Sequence, residues 1–343
     1  MDSAIEPGLL SIYSWDSKQD KDTFTIIASI PEGINKNDIS VQAVPEQKKI
    51  KCSIRGKLPF LSGKTFSGFS KVKHSVKDSI FQLEFQKDTQ AEWPFLIVSA
   101  LSKTCPMDPQ SMYILSVVYA HQDKQMQSFE CLMASSHFMF PQAILTLAQI
   151  YVRDKQNVPN PIDLLKRLVV EYKIYEAAFA IGEMSILNVA PINDAIEYLQ
   201  IGVSANNVQC ALLLGIFKNP CEEPHGEFEN ADEAWNLLDM AKDHPRAQYS
   251  IGLMKFNGIG CQRNIEEARA IVSQVRKELP DLPDLPTEVP SAPIVKETPT
   301  VPGVVNREET PNPSSNKLII CLASIGALAF GTLAYRFFKR NKK

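Results

Sequence analysis

Nine basic side chains crowd residues 47–77: Lys48, Lys49, Lys51, Arg55, Lys57, Lys64, Lys71, Lys73 and Lys77. No acidic residue interrupts them. Placed on strands and loops, they can form one positive face that docks an acidic partner or anionic lipid. The competing reading is a solvated sheet edge that lysines defend against pairing with other chains. Exposed aromatics are not interleaved with these cations, which argues against nucleic acid. Residues 222–243 are the reverse, with Glu222, Glu223, Glu227, Glu229, Asp232, Glu233, Asp239 and Asp243 against Lys242 alone. They read either as a partner site or as a solvated loop running into a helix start, where acids suit the helix dipole. Calcium would require ligands at regular loop spacing, and the run has none.

Nothing in the sequence points to turnover. The five histidines (74, 121, 137, 225 and 244) show no metal spacing. Cys131 and His137 lack a third ligand and read as core. Gly258-Ile259-Gly260 follows no strand and no Gly-Lys-Ser/Thr appears, so it reads as a turn between helices rather than a phosphate loop. No nucleophile elbow or paired carboxylate stands out. The expectation is a non-enzyme with no catalytic residue, metal or cofactor. The seven cysteines are scattered without CxxC spacing, as in a reduced cytosolic protein. The net charge of −3 excludes a general polyanion binder.

The elements that must position these groups fall into blocks. Residues 1–100 read as β. Thr23–Ile30, Asp38–Val44, Lys49–Arg55 and Ser79–Gln86 alternate apolar and polar positions, with turn residues between, as in an antiparallel sandwich. Residues 106–279 read as helical and contain an internal repeat. Its copies are Gln110–Ser116, Gln142–Ala148, Glu176–Gly182, Gln209–Gly215 and Arg246–Gly252. The closing small residues fall at 116, 148, 182, 215 and 252. Second helices carry small or apolar residues seven apart, at Ala195/Gly202, Ala234/Ala241 and Ala268/Val275. Small residues at fixed helical positions let neighbouring helices approach closely, as a helix–turn–helix solenoid requires.

Residues 280–316 hold nine prolines and read as an extended, disordered spacer. Leu318–Tyr335 is then free of charge, within an expected membrane anchor at 317–338. Eighteen helical residues rise about 27 Å, close to the hydrocarbon thickness of a bilayer. Arg336, Lys339, Arg340, Lys342 and Lys343 flank it, the last four in a basic tail, 339–343. Ala323, Ala327 and Gly331 lie four apart, a spacing that permits helix pairing and a homodimer through the anchor. The N-terminus has no basic region or long apolar run of a signal peptide. The layout is that of a tail-anchored protein with cytosolic N-terminal domains. The short, basic-flanked anchor favours the mitochondrial outer membrane over peroxisome or endoplasmic reticulum.

Two resemblances bear on function. Tyr13-Ser14-Trp15, Ile30-Pro31-Glu32-Gly33 before Asp38–Val41, Ile54–Phe60 with Gly63, and Leu83–Lys87 before Trp93 resemble a CS domain of the NudC type. That resemblance implies a seven- or eight-stranded sandwich, opened by a strand at Tyr13-Ser14-Trp15, that binds folding clients or a chaperone of the heat-shock-protein-90 class. The chain departs from the family pattern at Pro94-Phe95, where a second Trp is common, and by lacking an N-terminal coiled coil. Ala247–Gly252, Asn257-Gly258-Ile259-Gly260 and Asn264–Ala268 resemble Sel-1-like repeats, relatives of the tetratricopeptide repeat. Such arrays are adaptor scaffolds. The expected fold is therefore multidomain: an antiparallel β-sandwich, an all-α repeat solenoid and a single transmembrane helix. The expected function is a tail-anchored co-chaperone or adaptor for protein partners. The alternative is a membrane tether or trafficking scaffold that uses the CS fold only as a protein-binding module.

Overall fold

A computed structural model describes residues 4–222 and 228–287. The expected anchor at 317–338, its basic flank and its small-residue stripe lie outside the described residues. Among those described, no helix is long and apolar enough to cross a membrane. The described residues divide into two compact units, one up to Ile174 and the other from Tyr175.

The first unit contains two four-stranded antiparallel sheets. One runs in the order β1 (Asp16–Gln19), β2 (Thr23–Ser29), β7 (Ile80–Lys87), β6 (Phe69–Lys77). The other runs β3 (Ile39–Val44), β4 (Lys49–Ile54), β5 (Leu61–Thr65), β8 (Ile97–Ser99). Period-two alternation decides which side chains turn inward. Phe24, Ile26 and Ala28 of β2 stand opposite Phe85, Leu83 and Phe81 of β7, and all six are buried. Ile50, Cys52 and Ile54 supply the inner face of β4. Trp93 stacks on Phe24 at 5.5 Å between ring centroids, and Phe60 meets Phe81 edge-on at 5.3 Å. Gly63 is required where β5 passes β8, because a Cβ there would lie 2.2 Å from Ile97 Cγ2.

The strand expected to open at Tyr13 begins later, at Asp16. Pro7 starts a 3₁₀ turn that continues into α1 (Leu10–Tyr13). This turn puts Ile12 and Tyr13 into the core, and the Tyr13 hydroxyl donates to the Leu58 carbonyl.

Four longer helices complete the first unit: α2 (Pro109–His121), α3 (Gln125–His137), α4 (Pro141–Arg153) and α5 (Ile162–Val170). The segment between residues 100 and 106, expected as a domain boundary, is bridged by polar contacts. Asp108 is the N-cap of α2 and accepts Ser111 N–H at 2.9 Å. Its second oxygen accepts Ser62 N–H on β5 at 3.1 Å. Gln110 clamps the Trp15 backbone from both sides, accepting its N–H at 2.8 Å and donating to its carbonyl at 2.6 Å. Ile5, 1% exposed, donates its N–H to the Phe138 carbonyl, and its own carbonyl accepts the Tyr172 hydroxyl. Buried and part-buried polar bonds hold strands and helices together here, where a linker would have left solvated backbone.

Among the described residues, the second unit is built of helical hairpins: α6 (Glu176–Ile186), α7 (Ile192–Ser204), α8 (Val208–Lys218), α9 (Ala231–Met240), α10 (Pro245–Asn257) and α11 (Ile265–Glu278). Every repeat copy read from the sequence falls on the first helix of a hairpin, on α2, α4, α6, α8 and α10. The closing glycines are packing positions. A Cβ on Gly182 would lie 2.5 Å from Leu213 Cδ2, on Gly215 2.9 Å from Leu238 Cγ, and on Gly252 2.8 Å from Val272 Cγ2. In the second helices, Gly202 plays the same part against Cys210. Apolar on every side, α8 packs against α6 and α7 as well as α9 and α10. Gly258 ends α10 in the left-handed conformation, at φ 70°, so Asn257-Gly258 is the turn the sequence indicated. Residues 280–287, the start of the expected spacer, fold back instead. Leu282 and Leu285 are buried with Tyr249, Phe256, Val272 and Val275.

Candidate interaction surfaces

The basic run divides between the two sheets. Lys49 and Lys51 alternate with the buried residues of β4 and therefore face outward. Strand register puts Lys64 of β5 directly opposite Lys49. The neighbours of these three lysines on the same face are Gln42, Val44, Ser62 and Ser99. None is acidic. Like charges directly opposite each other destabilise a sheet. β4 and β5 are interior strands, so edge defence does not account for the cations there. Lys48 adjoins the same surface in a left-handed turn at φ 54°.

The remaining cations are placed differently. Lys71, Lys73 and Lys77 alternate along β6, an edge strand of the other sheet. Lys73 stands across from Glu84. Edge defence fits these three. Lys57 pairs with Glu6, and Arg55 lies in the loop after β4. The structure thus brings together Lys48, Lys49, Lys51 and Lys64 and sets Lys71, Lys73 and Lys77 on a separate strand.

Glu223 and Glu227 of the acidic run lie outside the described residues, and others resolve into distinct roles. Asp232 and Glu233 fill the first turn of α9, whose N-cap Asn230 accepts Glu233 N–H at 3.1 Å. Glu233 also pairs with Lys218 at 2.8 Å. Glu222 turns inward to Arg246, whose side chain is 0% exposed. Two N–H···O bonds of 2.9 Å join guanidinium and carboxylate, and the Ser250 hydroxyl donates to Glu222 Oε1 at 2.6 Å. The sequence reading missed this pair. Its only signal was an arginine opening a repeat copy that otherwise turns small and apolar residues inward.

Two carboxyls are shifted by their surroundings. Burial lifts Asp108 to about 6, against the opposing pull of the Ser111 and Ser62 N–H groups. Burial alone lifts Glu183, on α6, to about 7. Burial also pushes the Cys210 thiol up to about 12 and raises Cys52, Cys131 and Cys261. Those thiols stay protonated at neutral pH and are poor nucleophiles. Among the described residues, no group of three or more His, Cys, Asp or Glu side chains is arranged to hold a metal ion.

No family model and no curated protein sequence matches the chain. Similarity to solved structures is found. A nuclear movement protein from E. cuniculi GB-M1 is 15% identical at a TM-score of 0.22, covering 24% of this chain and 98% of its own. A protective antigen from uropathogenic Escherichia coli, displaying an SLR fold, is 15% identical at a TM-score of 0.41, covering 49% of this chain and 38% of its own. A Sel1 repeat protein from Oxalobacter formigenes is 17% identical at a TM-score of 0.39, covering 50% of this chain and 52% of its own.

Proposed function

We propose that this chain is a protein-binding adaptor that acts by holding partners rather than by turnover. The observation that carries this reading is the outward face of β4 and β5. There Lys49, Lys51 and Lys64 converge on interior strands with no carboxylate among their cross-strand neighbours. That face fits an acidic segment of a protein partner, with electrostatic steering that weakens as salt rises. The finer reading is a tail-anchored co-chaperone. Its sandwich engages a chaperone or folding client, its helical hairpins hold a second protein, and residues 317–338 fix both at the mitochondrial outer membrane.

Recovery of partners from detergent extract tests the adaptor reading. Lys49→Glu/Lys51→Glu/Lys64→Glu should release a partner that Lys71→Glu/Lys73→Glu/Lys77→Glu retains. Equal loss from both variants, or from neither, would remove the β4–β5 face from the proposal. Recovery of stable, ATP-independent partners with no chaperone or client among them would favour the tether. A fluorescent protein fused ahead of residues 307–343 tests the anchor. Arg336→Ser/Lys339→Ser/Arg340→Ser should redirect it away from mitochondria, and unchanged targeting would defeat the basic-flank argument.

A further inference from the structure

Residues after α11 read Leu279-Pro280-Asp281-Leu282-Pro283-Asp284-Leu285-Pro286, with Leu-Pro recurring every third residue. Each proline ring fixes its own φ near −65° and drives the preceding leucine toward extended geometry. A polyproline II strand has three residues per turn, so one face of it collects every third side chain. The burial follows that period. Leu282 and Leu285 are buried, whereas Asp281, Pro283, Asp284 and Pro286 are exposed.

The surface beneath is built to hold such a strand. Tyr249, Phe256, Ala268, Val272 and Val275 of α10 and α11 form the apolar floor. The segment opens with a turn, in which Leu282 N–H donates to the Leu279 carbonyl at 3.2 Å, and its later carbonyls meet donors from the helices. Tyr249 Oη donates to the Pro283 carbonyl at 3.1 Å, and Arg276 Nε to the Leu282 carbonyl at 3.0 Å. Arg269 Nη2 donates to the carbonyls of Pro286 at 3.3 Å and Thr287 at 3.2 Å. Arg276 also pairs with Asp284. An apolar, aromatic-containing floor with flanking donors is the chemistry by which proline-rich strands are recognised between proteins.

We infer that the α10–α11 groove is a recognition site for extended Leu-Pro-Asp-Leu-Pro segments, occupied here by the chain's own residues 282–287. The occupant it fits in trans is a partner segment of that pattern. Such a partner binds when the chain's own strand lifts away. The tethered strand competes at the high effective concentration that a short connection creates. The inference deepens the adaptor reading and rests on it for what the partner does. Its test contains no chaperone, client or membrane target, so the two fail separately.

The probe is a fluorescently labelled peptide of residues 278–287, titrated into the detergent-solubilised full chain. Leu282→Ser/Leu285→Ser should empty the groove and tighten peptide binding by about tenfold or more over wild type, as removal of an occluded population requires. Adding Arg269→Ala/Arg276→Ala to that variant should abolish the gain. Because the double serine variant could unfold the last hairpin, hydrogen exchange of the wild type with excess unlabelled peptide supplies a second readout. The amides of Leu282, bonded to the Leu279 carbonyl, and Leu285, bonded to Asp284 Oδ1, should lose protection while α10 and α11 keep theirs. An unfolded variant together with unchanged exchange in the wild type overturns the inference, as does a folded variant that binds no peptide.

Discussion

Removal of the Glu222 carboxylate should open the second unit locally, and its size follows from the geometry. The Arg246 side chain is 0% exposed and that of Glu222 is 7% exposed. Two guanidinium–carboxylate bonds of 2.9 Å and the 2.6 Å bond from Ser250 serve this carboxylate. Breaking a buried pair from one side costs about 3–5 kcal/mol, because the remaining charge stays in a poorly solvated place. Glu222→Ala should therefore speed exchange of the α10 amides by roughly 150- to 5,000-fold, if they exchange through opening of this hairpin. Hydrogen exchange by mass spectrometry on the full chain in detergent reads that change directly. Glu222→Leu/Arg246→Met replaces the pair by apolar groups of similar size and should come within about 1–2 kcal/mol of wild type. The reasoning is refuted if Glu222→Ala accelerates α10 exchange by less than about tenfold. It is equally refuted if the double variant is as unstable as the single one, since packing rather than charge would then explain the loss.

Three further outcomes are expected. Asp108 holds its proton more tightly in the fold than in the unfolded chain, so its contribution is fully present below about pH 4 and is lost as pH rises through about 6. Urea melts of wild type at pH 5 and pH 7.5 should show that loss, and Asp108→Ala should flatten it. The same substitution should cost about 2–4 kcal/mol overall by removing the acceptor of Ser62 and Ser111 N–H. Glu183 is lifted to about 7 by burial, so Glu183→Gln should stabilise the chain at pH 8 by about 1–3 kcal/mol. It should do so much less at pH 5.5, where the native carboxyl already carries its proton; equal effects at both pH values would refute this. Gly182→Ala improves helix propensity yet should destabilise by about 1–3 kcal/mol, because its Cβ would meet Leu213 Cδ2 at 2.5 Å. A raised midpoint in thermal unfolding would contradict that close packing.

Much of the architecture was legible because local periodicity carries it. Alternation at Phe24, Ile26 and Ala28 marked β2, and small residues at 182, 215 and 252 marked the first helix of successive hairpins. What the sequence by itself determined was of this kind: period, block composition, turn chemistry at Asn257-Gly258 and the uncharged segment after residue 317. Tertiary structure alone decided which charges share a surface. The nine cations are one run in the chain, yet register places Lys49 beside Lys64 while Lys71, Lys73 and Lys77 ride the edge of another sheet. It also decided that Glu222, one acid among several, turns inward to Arg246. Leu282 and Leu285, spaced as in a linker, find an apolar floor on α10 and α11. The physical reason is common to all three. Burial and pairing depend on partners distant in sequence, and a side chain's type does not say whether such a partner will arrive.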